Sequence, residues 1–334
     1  MNLALKVDVD TYQGTLEGVP RLLDLFAKLG IRATFFFSLG PDRTGRAIRR
    51  IFRRGFVKKV LSASPAASYG LRTMLYGTLL PAPDVGAKPD AVARMREAAA
   101  AGHAVGIHAW DHVGWHDRLP VMSRDEIERV VEREHARFRE IFGFPAKLSA
   151  APGWTATPLS VEVQEAHGVT ATSDTRGGRP FHAIRADGSA SRVLEIPSTL
   201  PTLDELLALP LPGSGPQVKK ACEWLRMRMK EKENSATGSF DVHSIHTEIE
   251  GGPAFSAPFA GLAAAWKSEG VVFLTLEGIL KTLLSDRSVA GEAREPGRFS
   301  VRPLAFTTLP GRATPVTTGW PGAEAATMGR TEDA

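Results

Sequence analysis

Two histidines four residues apart, His108 and His112, stand in the run Gly106-Ile-His-Ala-Trp-Asp-His112. On one face of a helical turn, both imidazoles would reach a single metal ion. Near the start of the chain, Asp8 and Asp10 form a carboxylate pair at i and i+2. Such a pair can divide its work, one carboxylate binding a cation and the other taking a proton from water. Asp10, His108 and His112 make a two-His, one-carboxylate set with coordination positions left open, the pattern of a catalytic rather than a structural metal centre. That donor set accepts zinc, cobalt, manganese or iron. His246 ends the run Val242-His-Ser-Ile-His246, from which it could protonate a leaving amine. His243, deeper in the same run, reads as structural, and His116 as a bystander.

The elements that must carry these residues alternate. Short apolar runs at 3–7, 33–38, 104–107, 147–150, 169–172, 192–196, 240–245 and 271–274 read as strands. Helical spacing fills 17–29, 91–101, 123–142, 158–167, 217–233, 259–269 and 276–285, with Ser123 as a cap. Strands separated by helices imply parallel βαβ units, hence an α/β barrel or a doubly wound sheet. Asp8 and Asp10, His108 and His112, Pro152-Gly-Trp154, Ser173-Asp174 and His246 all fall just after strands. Strand C-termini share one face in such folds, so five segments are expected at one rim.

Composition excludes several classes. The 334 residues are 43% hydrophobic and 23% charged, ordinary for a globular chain and unlike a disordered one. The single cysteine, Cys222, rules out a disulfide scaffold. No signal peptide and no transmembrane helix is read. A net charge of +4 is too small to argue for nucleic acid, and no protein partner can be deduced. The basic residues are concentrated in an insertion at about 41–88. Residues 43–61 hold eight of them and no acid, interleaved with Ile48, Ile51, Phe52, Phe56, Val57, Val60 and Leu61. That pattern suits an anionic membrane surface. Tyr69, Leu71, Met74, Leu75, Tyr76, Leu79 and Leu80 could add an apolar groove for a polyprenyl chain. Residues 286–334 show no sustained period and read as a largely disordered tail.

Taken together, the segments resemble the polysaccharide deacetylase family (the NodB homology domain). The carriers are Asp8-x-Asp10, His108-x-x-x-His112, Ala150-Ala-Pro-Gly-Trp154, Asp174 and Ile245-His246. The similarity is greater to the branch that deformylates undecaprenyl-phosphate-linked 4-deoxy-4-formamido-L-arabinose. It is carried by Asp8 to Gly14, Glu17-Gly-Val-Pro-Arg-Leu-Leu23, Phe36-Phe-Ser-Leu-Gly-Pro-Asp42, Ser173-Asp-Thr-Arg-Gly177 and Ile245-His-Thr-Glu-Ile-Glu-Gly251, and runs from residue 3 to about 285.

The resemblance implies a distorted (β/α)7 barrel over residues 1–285. It implies one divalent metal ion, zinc first, on Asp10, His108 and His112. Asp8 would be the base and His246 the acid, with Trp154, Asp174 and Arg176 at the substrate and a backbone N–H near Trp154 on the oxyanion. Products would be formate and the 4-amino-4-deoxy-L-arabinose lipid used to modify lipid A against cationic peptides such as polymyxin. The site of action would be the cytoplasmic face of the bacterial inner membrane, with the protein peripheral. The alternative within the family is an N-deacetylase of a lipid-linked or cell-wall sugar. One departure stands out. The family has Arg where this chain has Ala150, and Arg176 is a candidate replacement.

Other readings explain less. Asp8-Val-Asp10-Thr11 fits a haloacid-dehalogenase phosphatase, but no late acidic pair follows and the histidines would have no role. An inverted zinc-protease motif lacks a third downstream ligand. A lipid-binding protein without catalysis would not need Asp8, Asp10, His108, His112 and His246 together.

Overall fold

The computed structural model describes residues 1–47, 72–185, 187–232, 240–285, 296–303 and 315–321. Strands are β1 (Asn2–Val9), β2 (Thr34–Ser38), β3 (Ala104–Ala109), β4 (Leu148–Ser149), β5 (Ala171–Thr172), β6 (Phe181–Ile184), β7 (Ala190–Glu195), β8 (Phe240–His246) and β9 (Val272–Leu274). The tail adds β10 (Pro296–Pro303) and β11 (Pro315–Pro321). Helices are α1 (Val19–Leu29), α2 (Pro89–Ala100), α3 (His112–Arg118), α4 (Arg124–Phe142), α5 (Pro158–Ala166), α6 (Leu203–Leu207), α7 (Gln217–Lys232), α8 (Ser256–Ser268) and α9 (Leu276–Ser285).

Parallel strands run β8-β1-β2-β3-β4-β5-β7. The sheet curls until the chain beyond β7 reaches β8. There Thr199 and Leu200 donate their N–H groups to the Val242 carbonyl at 3.0 and 3.1 Å, and the hydroxyls of Ser198 and Ser244 lie 2.8 Å apart. This is the distorted α/β barrel that the family resemblance implied, with seven parallel strands in the curl. β9 pairs with the first residues of β1, beside β2, which pairs with the last.

Strand alternation divides β1 between two environments. Leu3, Leu5, Val7 and Val9 join Leu22 and Phe26 of α1, Met95 of α2 and Trp266 of α8 in the outer core. Ala4 faces inward with Phe36, Ala104, Leu148, Ala150, Ala171, Leu194 and Val242, and α9 plugs that end with Leu276, Ile279, Leu280 and Leu283. The interior is tightly filled. A Cβ at Gly106 would lie 2.6 Å from the Phe36 ring, so only glycine leaves room for it. Burying a ring of that size contributes about 1.5–3 kcal/mol.

Helix α4 starts on the capping box that Ser123 forms with Glu126. Five elements were not read from the sequence: β6, α3, α6, and β10 and β11 of the tail. β6 is an antiparallel partner of β7, short and alternating buried with half-buried residues. α3 and α6 are brief helices set by side-chain caps, Asp111 and Thr202, and too short for a period to show.

The stems of the insertion are joined. Asp42 N–H donates to the Pro83 carbonyl at 2.9 Å, and Gly45 N–H to the Tyr76 carbonyl at 3.0 Å. Most of the basic segment, residues 48–71, with Tyr69 and Leu71, lies outside the described residues. Of the apolar residues expected to line one groove, Tyr76 is buried and Leu79 is 81% exposed. Of the tail expected to lack order, two segments are described. β10 and β11 pair antiparallel, and β10 touches β6.

Candidate active site

The strand ends deliver the chemistry to one rim. In the β1–β8 register Asp8 lies opposite His246. Asp10 follows one residue beyond β1. His108 is reached by a bulge. The β2–β3 register passes from Phe37 opposite Ile107 to Ser38 opposite Ala109, so His108 is the extra residue, and bulges re-aim side chains in this way.

His108 and His112 do not share a helical turn, as their spacing suggested. His108 is in β3 and His112 opens α3. The β3 hydrogen bonding continues to the Ala109 carbonyl, which accepts from Leu39, and the Asp111 side chain then starts the helix by accepting the Gly114 N–H. The two rings still meet, with centroids 5.2 Å apart.

Asp10, His108 and His112 offer ligand atoms that all lie within 4.8 Å of one another. Asp10 Oδ1 is 3.1 Å from His108 Nε2 and 3.6 Å from His112 Nε2. His108 Nδ1 lies 2.7 Å from the Ala150 carbonyl oxygen, so Nδ1 carries the proton and Nε2 keeps its lone pair for a metal. Asp10 Oδ1 is buried without a hydrogen-bond donor, an arrangement that fits a cation. The electrostatics agree. Burial alone would raise the Asp10 carboxyl, but His112, His108 and His246 outweigh it and hold it well below the usual carboxylate range. Burial pushes His112 down to about 4. At neutral pH Asp10 is a carboxylate and His112 a neutral imidazole, the ligating forms.

Beside this cluster stand Asp8 and His246, neighbours across β1 and β8. Asp8 Oδ2 is 3.3 Å from Lys6 Nζ, and Oδ1 is buried without a partner. His246 donates its backbone N–H to Glu250 Oε2 at 2.7 Å. Burial disfavours its charge, but Asp10, Asp204, Asp8 and Glu250 outweigh that and lift it to about 9. His243 is buried against Trp266, with ring centroids 5.8 Å apart. His116 lies on α3, beside Gly153.

Trp154 stands over the same interior. Its φ is 51°, a left-handed conformation that costs a non-glycine residue energy and is concentrated at functional sites. The indole is held by a hydrogen bond to Ser198 Oγ at 3.0 Å. Lys6 and Arg176 lie over the ring at 5.4 and 4.5 Å from its centroid. The Trp154 N–H donates to the Ala151 carbonyl at 3.2 Å, so it serves the turn. Asp174 is buried and accepts the Ala151 N–H at 2.7 Å. Burial and the nearby Glu195 push its carboxyl well above the usual range. Arg176 is buried and pairs with Glu205 at 3.1 Å. The basic side chain paired with Asp8 is Lys6, where the sequence had suggested Arg176.

Sequence reasoning missed Lys6, Glu248 and Glu250. Glu248 Oε1 accepts the Thr11 N–H and hydroxyl at 3.0 and 2.6 Å, which braces the turn after Asp10.

Residues 9–172 match the polysaccharide deacetylase family. A probable 4-deoxy-4-formamido-L-arabinose-phosphoundecaprenol deformylase of Shewanella sediminis is 35% identical over 249 residues, 75% of this chain and 76% of the relative. The chain belongs to the polysaccharide deacetylase family. It is a hydrolase of amide carbon–nitrogen bonds. A deformylase of the same description from Wigglesworthia glossinidia brevipalpis is 29% identical over 90% of this chain and 96% of its own. Among solved structures, a protein of Mycobacterium smegmatis described as a polysaccharide deacetylase superposes with a TM-score of 0.57 at 17% identity, covering 88% of this chain and 92% of that one. Puue allantoinase does so with 0.56 at 16%, covering 86% and 91%. These two likenesses speak for the fold. This polysaccharide deacetylase family member has a curled sheet, with its candidate site at the strand ends.

Proposed function

We propose that this protein hydrolyses the formamide of undecaprenyl-phosphate-linked 4-deoxy-4-formamido-L-arabinose, giving formate and the 4-amino-4-deoxy-L-arabinose lipid. The observation that carries the reading is the Asp10–His108–His112 cluster flanked by Asp8 and His246, in a chain 35% identical to a protein described as that deformylase. A divalent ion, zinc by preference, would be held by Asp10 Oδ1 and the Nε2 atoms of His108 and His112, supplying a Lewis acid for the carbonyl and lowering the pKa of water.

The chain's own groups do the proton work. Asp8 takes the proton of the attacking water. His246 gives its proton to the departing sugar nitrogen, without which an amine anion would have to leave. Trp154, seated over the interior by Ser198 and Arg176, limits water in the mouth and contacts the sugar. The amine produced serves lipid A modification and resistance to polymyxin.

We further propose a peripheral position on the cytoplasmic face of the bacterial inner membrane. No helix among the described residues is long and apolar enough to cross a membrane. The basic, apolar-interleaved segment 43–61 supplies the attraction to anionic lipid. Its N-terminal stem is tied to the site, because Arg43 pairs with Asp111, the cap of the helix that His112 opens.

The test is formate release from the lipid-linked formamido sugar by zinc-loaded protein, beside the acetamido analogue. Formate release that disappears in Asp8→Asn supports the reading. Faster turnover of the acetamido analogue would replace it with an N-deacetylase.

A further inference from the structure

Lys6 is among the largest fully buried side chains in the protein. It lies in β1 two residues before Asp8, on the strand face that points into the barrel. A lysine is a costly residue there, and an apolar side chain of similar volume in place of a buried ion pair is often neutral or stabilising. Stability therefore gives no reason for its presence.

Its contacts suggest another. Nζ is 3.3 Å from Asp8 Oδ2 and donates to the Ser173 carbonyl at 3.1 Å. The Trp154 ring lies over it with its centroid 5.4 Å away. The ammonium is thus fixed from three directions, and one of them is a single oxygen of Asp8. The other oxygen, Oδ1, is buried and accepts no hydrogen bond. Arg176, the other cation near Trp154, is directed at Glu205.

We propose that Lys6 is a positioning residue that holds Asp8 by Oδ2 and so leaves Oδ1 as the atom turned toward the attacking water. The inference rests on the reading of Asp8 as the base. Lys6 touches neither substrate nor water in this scheme and acts only through Asp8.

The test is a double-mutant cycle on the full-length protein with Lys6→Met, Asp8→Asn and the pair. It is read by single-turnover formate release, by zinc affinity in calorimetry, and by thermal unfolding of the metal-free protein. Lys6→Met is expected to lower kcat about 10–100-fold, the range found for residues that orient groups around a metal. KM and zinc affinity should stay within about twofold of wild type. Lys6→Arg should recover most of the loss. In the Asp8→Asn background Lys6→Met should cost nothing further, and the two changes should be non-additive in thermal unfolding.

If Lys6→Met does not unfold cooperatively, Lys6→Gln takes its place in the cycle. An unchanged kcat in the Lys6 variants beside an inactive Asp8→Asn overturns this inference and leaves the reading of Asp8 intact. So does strict additivity of the two changes in thermal unfolding. Wild-type turnover in Asp8→Asn overturns that reading itself, and the role of Lys6 with it.

Discussion

His108 Nδ1 lies 2.7 Å from the carbonyl oxygen of Ala150. The orientation of a candidate metal ligand is therefore set by the backbone of the neighbouring strand segment, and any side chain at 150 leaves that acceptor in place. The ring can turn only by giving up this bond, so its Nε2 is presented to Asp10 before any ion arrives. The site is preorganised for a cation that meets one carboxylate and two imidazole nitrogens.

Metal binding should depend on Asp10 more than on the groups around it. Asp10→Ala is expected to weaken zinc by more than about 100-fold, beyond the 10–100-fold typical of supporting residues. Thermal scans check it. At zinc near 100 times Kd, wild type should gain about 2.7 kcal/mol, and the variant should show no shift at the same concentration. An equal shift in both would remove Asp10 from the ligand set.

His246→Gln should retain zinc yet lose about 10²–10⁴ in kcat, the usual contribution of a positioned acid. The loss should shrink with a formamide of a weakly basic amine, which needs no proton to leave. Comparing two formamides that differ in amine pKa gives the answer, and an equal loss on both would assign His246 another task.

Acid should destabilise the fold through His103. This ring is packed against Phe26 and Phe35 and accepts the Ala33 N–H on Nδ1 at 3.1 Å. Burial, with Arg32 nearby, pushes it down to about 4. Because the unfolded chain takes the proton first, near pH 6.5, the stabilisation is complete above that pH and is lost as pH falls toward 4. The loss should be about 2 kcal/mol between pH 6.5 and 4.5. Urea titrations across this range should be flatter for His103→Gln, and parallel curves would contradict the assignment.

Gly18→Ala tests how closely the site's supports are packed. A Cβ there would lie 2.2 Å from the Thr247 backbone oxygen, next to His246. The cost should be about 1–3 kcal/mol, with a fall in kcat as Thr247 moves. Gly261→Ala, in α8 with nothing within 4 Å, should be neutral or stabilise by up to about 1 kcal/mol. Matching effects at the two positions would refute the packing argument.

Much of this arrangement was legible in the residues. The strands ending at Asp8, His108 and His246 stood out because buried runs stop abruptly at polar side chains, and parallel connections bring such ends to one rim. The route by which His108 and His112 meet was not legible. Four-residue spacing suggests a helical turn, and neither the bulge at His108 nor the cap at Asp111 has a period to reveal it. Lys6 was hidden differently. It sits inside Leu3-Ala-Leu-Lys-Val7, which reads as an apolar run, yet a lysine within a strand buried on both sides was itself the signal. Arg176 misled because identity and proximity in sequence say nothing of which acid a cation will meet, and Glu205 of α6 meets it first.

The pairing of Asp8 with His246 on adjacent strands has a consequence for biosynthesis. Asp8 leaves the ribosome some 238 positions ahead of His246. At translation rates of about 5–20 residues per second, the nascent protein spends tens of seconds with β1 lacking its β8 neighbour, an open edge that a chaperone could shield. The two proposed proton carriers become neighbours only after β8 has been made.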